Sequence, residues 1–232
     1  VKIAIIGAMA EEIIALKEEM TIHKSTEIAH VQFYEGKMST KDIVLCQSGV
    51  GKVNAALTTQ ILIDHFQVTH IFFTGVAGAV EEQLEVGDII ISTSAMQHDI
   101  DASPLGFKRG EIPMFPSSSD FKASTELIKL AEESSIASVH RKVLKGRVVS
   151  GDQFIANTEL VSDLRNTFNA VCVEMEGSAV AQVATLNNIP FVIIRSISDK
   201  ANGEASMSFT EFTELASEQS RLIVSNMIKN MS

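Results

Sequence analysis

The chain has 232 residues, 45% of them hydrophobic, and 19 Lys+Arg against 29 Asp+Glu leave a formal net charge of −10. That composition excludes wholesale disorder and a broad nucleic-acid footprint, which needs clustered Lys/Arg, and the length suits one large domain or two small ones. No apolar run approaches the roughly 20 residues of a bilayer-spanning helix, so no membrane contact is expected, and the opening VKIAIIG reads as a strand rather than a targeting segment.

In chain order, Val1–Ile6 reads as a buried strand, followed by a helix over Ala10–Met20 with Ile13, Ile14 and Leu16 apolar. Val31–Tyr34 and Asp42–Gln47 read as strands paired through the Gly36 region, and Val53–His65 as a helix whose apolar set is Val53, Ala56, Leu57, Ile61 and Ile63. The strand Ile71–Phe73 is expected to break at Gly75 and Gly78, and Gly87-Asp88 turns into a strand over Ile89–Ser92. Further strands are expected at Lys145–Val149, Ala170–Met175 and Phe191–Ile197, with helices at Ala123–Glu133, Thr158–Thr167, Gly177–Asn187 and Ser208–Lys229. The last helix is given a capping-box start, Ser208-x-x-Glu211. The stretch His98–Lys122 is irregular and holds three of the four prolines, Pro104, Pro113 and Pro116; a loop of that length is more often functional than idle.

Short apolar strands interleaved with helices imply an α/β layer architecture. No Pro/Gly/Ser linker, internal repeat or low-complexity tract divides residues 1–232, so a single domain is expected. Cys46 and Cys172 stand far apart in apolar stretches and read as buried free thiols in a reducing, cytoplasmic setting. No Cys/His cluster has zinc-ligand spacing, and neither a metal nor a cofactor is expected. The six histidines form no constellation, although His98 beside Asp99 and Asp101 is placed to order its loop.

Ligands of such sheets sit beyond the carboxyl ends of the strands, and five strand ends carry chemistry: Gly7 to Glu12, Ser48 to Lys52, Gly75 to Gly78, Glu174 to Gly177, and Arg195 to Asp199. The glycine-loop motifs fail. A P-loop needs Gly where Cys46 stands and Ser or Thr where Val53 stands, and a dinucleotide fingerprint needs Gly where Asn54 stands. Extended geometry would put Cys172, Glu174 and Glu176 on one strand face, with Val171, Val173 and Met175 on the other. Two carboxylates so placed repel, and one pKa is expected to rise; the bland alternative is a solvated strand end. Asp199 reads equally as a turn residue or a functional acid. Arg195, inside an apolar strand, needs an anionic partner, for which Glu176 and Glu12 are the candidates.

Seven segments taken together are identified with one family. IIGAM-x-EE (5–12), QSGVGKVNAA (47–56), FTGVAGA (73–79), VGDIII (86–91), VSGDQFI (149–155), VEMEG (173–177) and RSISDKANGEASMSF (195–209) run in order along nearly the whole chain. They resemble the methylthioadenosine/S-adenosylhomocysteine nucleosidases of the purine nucleoside phosphorylase superfamily. The resemblance implies a three-layer α/β/α sandwich around a mixed, twisted sheet. It also implies hydrolysis of the N-glycosidic bond of a 5′-thio-substituted adenosine, releasing adenine, with a place in methionine salvage and biosynthesis.

By the same resemblance, Glu12 is the base that activates water and Asp199 the acid that protonates adenine N7, with Ser198 beside it. Glu176 holds the ribose hydroxyls, Met175 lies under the ribose, and Arg195 is near the water and the ribose. Phe154 stacks on adenine, Ile155 meets its edge through backbone groups, and Val76, Ala77 and Gly78 belong to the same pocket. Met9, Val50 and Phe209 line the alkylthio group, with Ala102, Leu105 and Pro113 reaching in from the other subunit of a homodimer through the 102–113 loop. Three positions depart from the common pattern: Val76 stands where many relatives have Ser, Leu105 where many have Phe, and Ala102 where many have Val.

The nucleophile separates this reading from the runner-up, a phosphorylase. Phosphate wants Arg or Lys around it, whereas water wants a base. The first arginine of the chain is Arg109, and a carboxylate at Glu12 would repel phosphate. A non-catalytic nucleoside-binding protein would lack the acid or the base, and both are present. A hydrolase of another 6-amino- or carboxyphenyl-substituted nucleoside is the third alternative.

Overall fold

A computed structural model describes residues 1–201 and 205–231. The strands are β1 (Lys2–Gly7), β2 (Thr21–Ile28), β3 (Val31–Met38), β4 (Lys41–Gln47), β5 (His70–Ala79), β6 (Ile89–Gln97), β7 (Phe121–Lys122), β8 (Val143–Ser150), β9 (Ala170–Glu174) and β10 (Phe191–Asp199). The helices are α1 (Ala10–Glu19), α2 (Lys52–Asp64), α3 (Thr125–Ser138), α4 (Thr158–Phe168), α5 (Gly177–Leu186) and α6 (Ala205–Asn230).

The strands form one mixed sheet in the order β10-β6-β8-β9-β5-β1-β4-β3-β2, with β7 on β6. Because β10 also pairs with β5, the five strands β10, β6, β8, β9 and β5 close on themselves, and β1, β4, β3 and β2 extend from β5. Strand alternation feeds two cores. Ala4 and Ile6 of β1 pack with α2 and α5, whereas Ile3 and Ile5 pack with α1, α3 and α6. The result is a three-layer α/β/α sandwich, as the strand–helix alternation requires.

Several elements differ from the sequence expectation. Strand β2 was not anticipated, because it lies at the sheet edge with almost every side chain outward and carries no buried stripe; pairing to β3 holds it. Strand β5 does not break at its glycines but runs on to Ala79, since the curved, closing part of a sheet tolerates Gly. Of the apolar residues of α2, Ala56, Ile61 and Ile63 pack against the core, whereas Val53 is 78% exposed and Leu57 45%; Ala55, Thr58, Thr59 and Leu62 are the buried residues. Small residues suit that face because it packs on α5, and Thr59 satisfies its hydroxyl on the carbonyl of Ala55 at 2.7 Å. Ile14 of α1 also points outward. Helix α6 begins at Ala205, so Ser208 is inside the helix rather than its cap; the side chains of Ser208 and Glu211, and residues 202–204 of the RSISDKANGEASMSF segment, lie outside the described residues. Within the 98–122 stretch the chain forms a 3₁₀ turn at Ser103–Leu105 and the short β7.

Candidate active site

The carboxyl ends of β1, β5, β9 and β10 meet around a cavity of about 270 Å³. Its described walls include Met9, Glu12, Val50, Val76, Ala77, Gly78, Phe154, Ile155, Met175, Glu176, Ser198, Asp199 and Phe209, all expected from sequence. Ala8, Gln153, Val173 and Glu174 join them. The two neighbours of expected residues, Ala8 and Gln153, were legible from position alone; Val173 and Glu174 depended on how β9 ends.

Glu12 sits in the first turn of α1, where unpaired amides favour a carboxylate. It is buried, and its Oε2 accepts from the N–H groups of Ala8 at 2.6 Å and Met9 at 3.0 Å. Its Oε1 accepts from the N–H of Val76 at 3.0 Å. Burial pushes its pKa up, while the nearby Arg195 and these three amides pull it back toward ionisation. Asp199 closes β10. Its Oδ1 accepts from the Ser198 hydroxyl and its Oδ2 from the N–H of Ala201, each at 2.8 Å. Among the described residues, burial raises its pKa against those two bonds alone, with no cation among the opposing influences. Gly78 makes room for it, since a β-carbon there would stand 3.0 Å from Asp199 Oδ2.

The two carboxylates of VEMEG have different jobs. Strand β9 stops at Glu174, and Glu176 is the residue that opens α5 with φ −137° and ψ −38°. The single-face strand reading therefore ends at Glu174, and both groups are buried rather than solvated. Glu174 accepts from the N–H of Gly177 at 2.8 and 3.0 Å, from that of Glu176 at 3.2 Å, and from the Ser150 hydroxyl. It thereby caps α5. Among the described residues Glu176 accepts only from the N–H of Gly51, at 2.8 Å, and it lines the cavity. Burial, and then the neighbouring Glu174, raise its pKa, so one group of the pair is displaced as repulsion requires.

Arg195 departs from expectation twice. Its partner is Glu174, with Nη2 2.5 Å from Oε2, rather than Glu176 or Glu12. It is 1% exposed and does not line the cavity; it lies behind the wall with its guanidinium 4.0 Å over the ring of Phe73. Burial opposes its charge, and Glu174, Glu12 and Glu176 overcome that and hold it cationic. Ala102, Leu105 and Pro113 are also away from the cavity, and Leu105 is 75% exposed.

Across the rim, Phe154 and Phe209 meet edge to face with centroids 5.6 Å apart. The loop carrying Phe154 is held by Asp152, whose side chain accepts from the N–H of Lys52 at 2.8 Å; its own N–H donates to Asp99 at 3.0 Å. Lys52 Nζ reaches Asp99 Oδ1 at 2.6 Å. His98 is buried in this region, and burial lowers its pKa. Cys46 and Cys172 are both buried and free, with burial pushing their thiols up.

Residues 2–229 match the family described as the phosphorylase superfamily. The 5′-methylthioadenosine/S-adenosylhomocysteine nucleosidase of Staphylococcus haemolyticus (strain JCSC1435) is 43% identical over 228 residues, 98% of this chain and 99% of its own. The chain belongs to the 5′-methylthioadenosine/S-adenosylhomocysteine nucleosidase family. A member of that family from Neisseria meningitidis, solved in complex with methylthio-immucillin-A, superposes with a TM-score of 0.95 at 37% identity over 99% of each chain. A futalosine hydrolase of Helicobacter pylori strain 26695 superposes with a TM-score of 0.94 at 35% identity, over 99% of this chain and 98% of its own.

Proposed function

We propose that residues 1–232 act as one nucleosidase domain that hydrolyses the N-glycosidic bond of 5′-methylthioadenosine and S-adenosylhomocysteine, and of 5′-deoxyadenosine, releasing adenine and the 5-substituted ribose. The observation that carries this reading is the charge of the cavity. Its described walls bring together Glu12, Glu174, Glu176 and Asp199 and include no lysine or arginine. Phosphate would meet carboxylates there, whereas water would meet bases.

Adenine leaves poorly as an anion. In this reading Asp199, whose pKa burial raises, donates its proton to N7, so the C1′–N9 bond breaks with neutral adenine departing. Positive charge grows on the ribose as in glycoside hydrolysis. Glu12, whose pKa burial raises against the pull of Arg195 and three amides, takes a proton from the water whose oxygen bonds to C1′. Glu176 is the carboxylate with an oxygen free to meet the ribose hydroxyls, because Glu174 is committed to Arg195 and the start of α5. Phe154 stacks on the base, Ile155 meets its edge, and Met175 lies under the sugar. Met9, Val50 and Phe209 surround the 5′ group, with Ala77, Gly78 and Val76 behind. Arg195 acts from behind the wall through Glu12 and Glu174.

We further propose a homodimer in which the 102–113 loop of each subunit brings Ala102, Leu105 and Pro113 to the neighbouring site. Exposed apolar residues support it: Val53, Leu57, Leu105 and, at 96%, Met114 face outward. A cytoplasmic location is supported by the two free thiols. Among the described residues no helix is long and apolar enough to cross a membrane.

Product analysis in phosphate-free buffer tests the function. Adenine and a free 5-substituted ribose are expected from each nucleoside. A rate that rises with phosphate and yields a ribose 1-phosphate would establish the phosphorylase, and binding without release would establish the non-catalytic module. The likeness to the futalosine hydrolase favours one second substrate, so futalosine belongs in the same panel.

A further inference from the structure

The Gly75–Val76 peptide unit is gripped at both ends. Its N–H donates to Glu12 Oε1 at 3.0 Å, and its carbonyl accepts from the hydroxyl of Ser220 at 3.1 Å. Ser220 is on α6, is 1% exposed, and is not part of the cavity wall. Gly75 has φ +150°, and a β-carbon on it would lie 2.2 Å from Glu12 Oε1 and 2.6 Å from Arg195 Nη1. The missing side chain lets the base and the guanidinium close over this peptide, which the β5–β10 pairing holds in place (Gly75 with Arg195, Val76 with Ser196) and whose two free ends the Glu12 carboxylate and the Ser220 hydroxyl take up. We propose that Ser220 is a positioning residue for Glu12, aiming the Val76 N–H by holding the opposite end of the same peptide plane. Donation to a carbonyl also polarises the peptide and strengthens its N–H as a donor.

The charged groups around Glu12 are Arg195 and Asp199 on β10, Glu174 on β9 and Glu176 at the start of α5. From α6, Arg221 faces Glu19 and Glu218 instead. The charged residues of β1, β4 and β5 (Lys2, Lys41, Asp42 and His70) are at the opposite ends of their strands. The Ser220 hydroxyl donates to the Gly75 carbonyl and bonds to none of these charged groups.

The inference rests on the hydrolase reading for its kinetic arm only. Ser220→Ala should lower kcat/KM for adenine release about fivefold at neutral pH, the scale of one net hydrogen bond. The acid limb of its pH profile should move upward, because a weaker N–H contact favours protonated Glu12. Ser220→Thr, which restores a hydroxyl, should return both toward wild type. Ser220→Cys, nearly isosteric and a weaker donor, gives the same comparison if Ser220→Ala is too unstable to assay. Carboxyl ¹³C titration of the free protein, assigned with Glu12→Gln, reads the Glu12 shift without turnover. A Glu12 titration identical in wild type, Ser220→Ala and Ser220→Cys overturns the inference, as does a lowered melting temperature with the acid limb unmoved. Wild-type protein that releases no adenine instead overturns the hydrolase reading and leaves the titration comparison standing.

Discussion

The end of β1 and the end of β10 bring a buried carboxylate to opposite parts of one cavity, and they treat it differently. Glu12 is surrounded by compensation: three backbone amides, a helix N-terminus and Arg195 nearby. Asp199 has, among the described residues, one hydroxyl and one amide. Burial raises both pKa values, so desolvation by itself would make two acids. In the proposed mechanism, what would separate the base from the acid is the number of groups that stabilise each anion, most of which belong to the backbone.

The largest expected effect breaks that contrast at either end. Glu12→Gln and Asp199→Asn should each lower kcat by about 10²–10⁴-fold, the usual worth of a positioned acid or base, while nucleoside binding measured by calorimetry survives. Near-normal turnover in either variant would reassign its role. Glu174→Ala tests the support behind the wall: it leaves Arg195 buried without its partner and should cost about 3–5 kcal/mol of stability by denaturant titration, whereas Glu176→Gln should weaken substrate binding with the fold intact. Phe154→Ala should weaken nucleoside binding by about 1–3 kcal/mol if the ring stacks on the base, read as a raised Kd.

A smaller effect concerns pH and stability. Glu176 has a folded pKa above its ordinary 4.5. The folded state therefore holds its proton more tightly than the unfolded chain, and this contribution to stability is present below 4.5 and lost as pH rises above it. Glu176→Gln should flatten that part of the melting-temperature profile; an unchanged slope would place the pressure elsewhere. Smallest in catalytic terms, Val53→Glu with Leu57→Glu should shift sedimentation toward monomer, and a dimer that persists would move the interface off α2.

Much of the site was legible in the chain because it is built at strand ends, where apolar runs stop at Gly, Glu and Asp. Thirteen of the wall residues follow from that pattern and from the family resemblance. The division of labour between Glu174 and Glu176 was not legible. Two positions apart in an extended strand they are equivalent, and the stop of β9 at Glu174 commits one to Arg195 and the start of α5 while the other meets the N–H of Gly51, both along the cavity wall. The exposure of Val53 and Leu57 on α2 is not legible in the chain, because an exposed apolar stripe and a buried one have the same period.

Sequence by itself determined the alternation of strands and helices, the order of the chemical groups and the acidity of the pocket, since each depends on local composition and spacing. Tertiary structure decided that the five strands close on themselves, that Arg195 stands behind the wall, and that burial pushes the pKa values of Glu12, Glu176 and Asp199 up. Those outcomes depend on burial and on backbone amides arriving from distant strands, and neither is encoded in the neighbours of a residue along the chain.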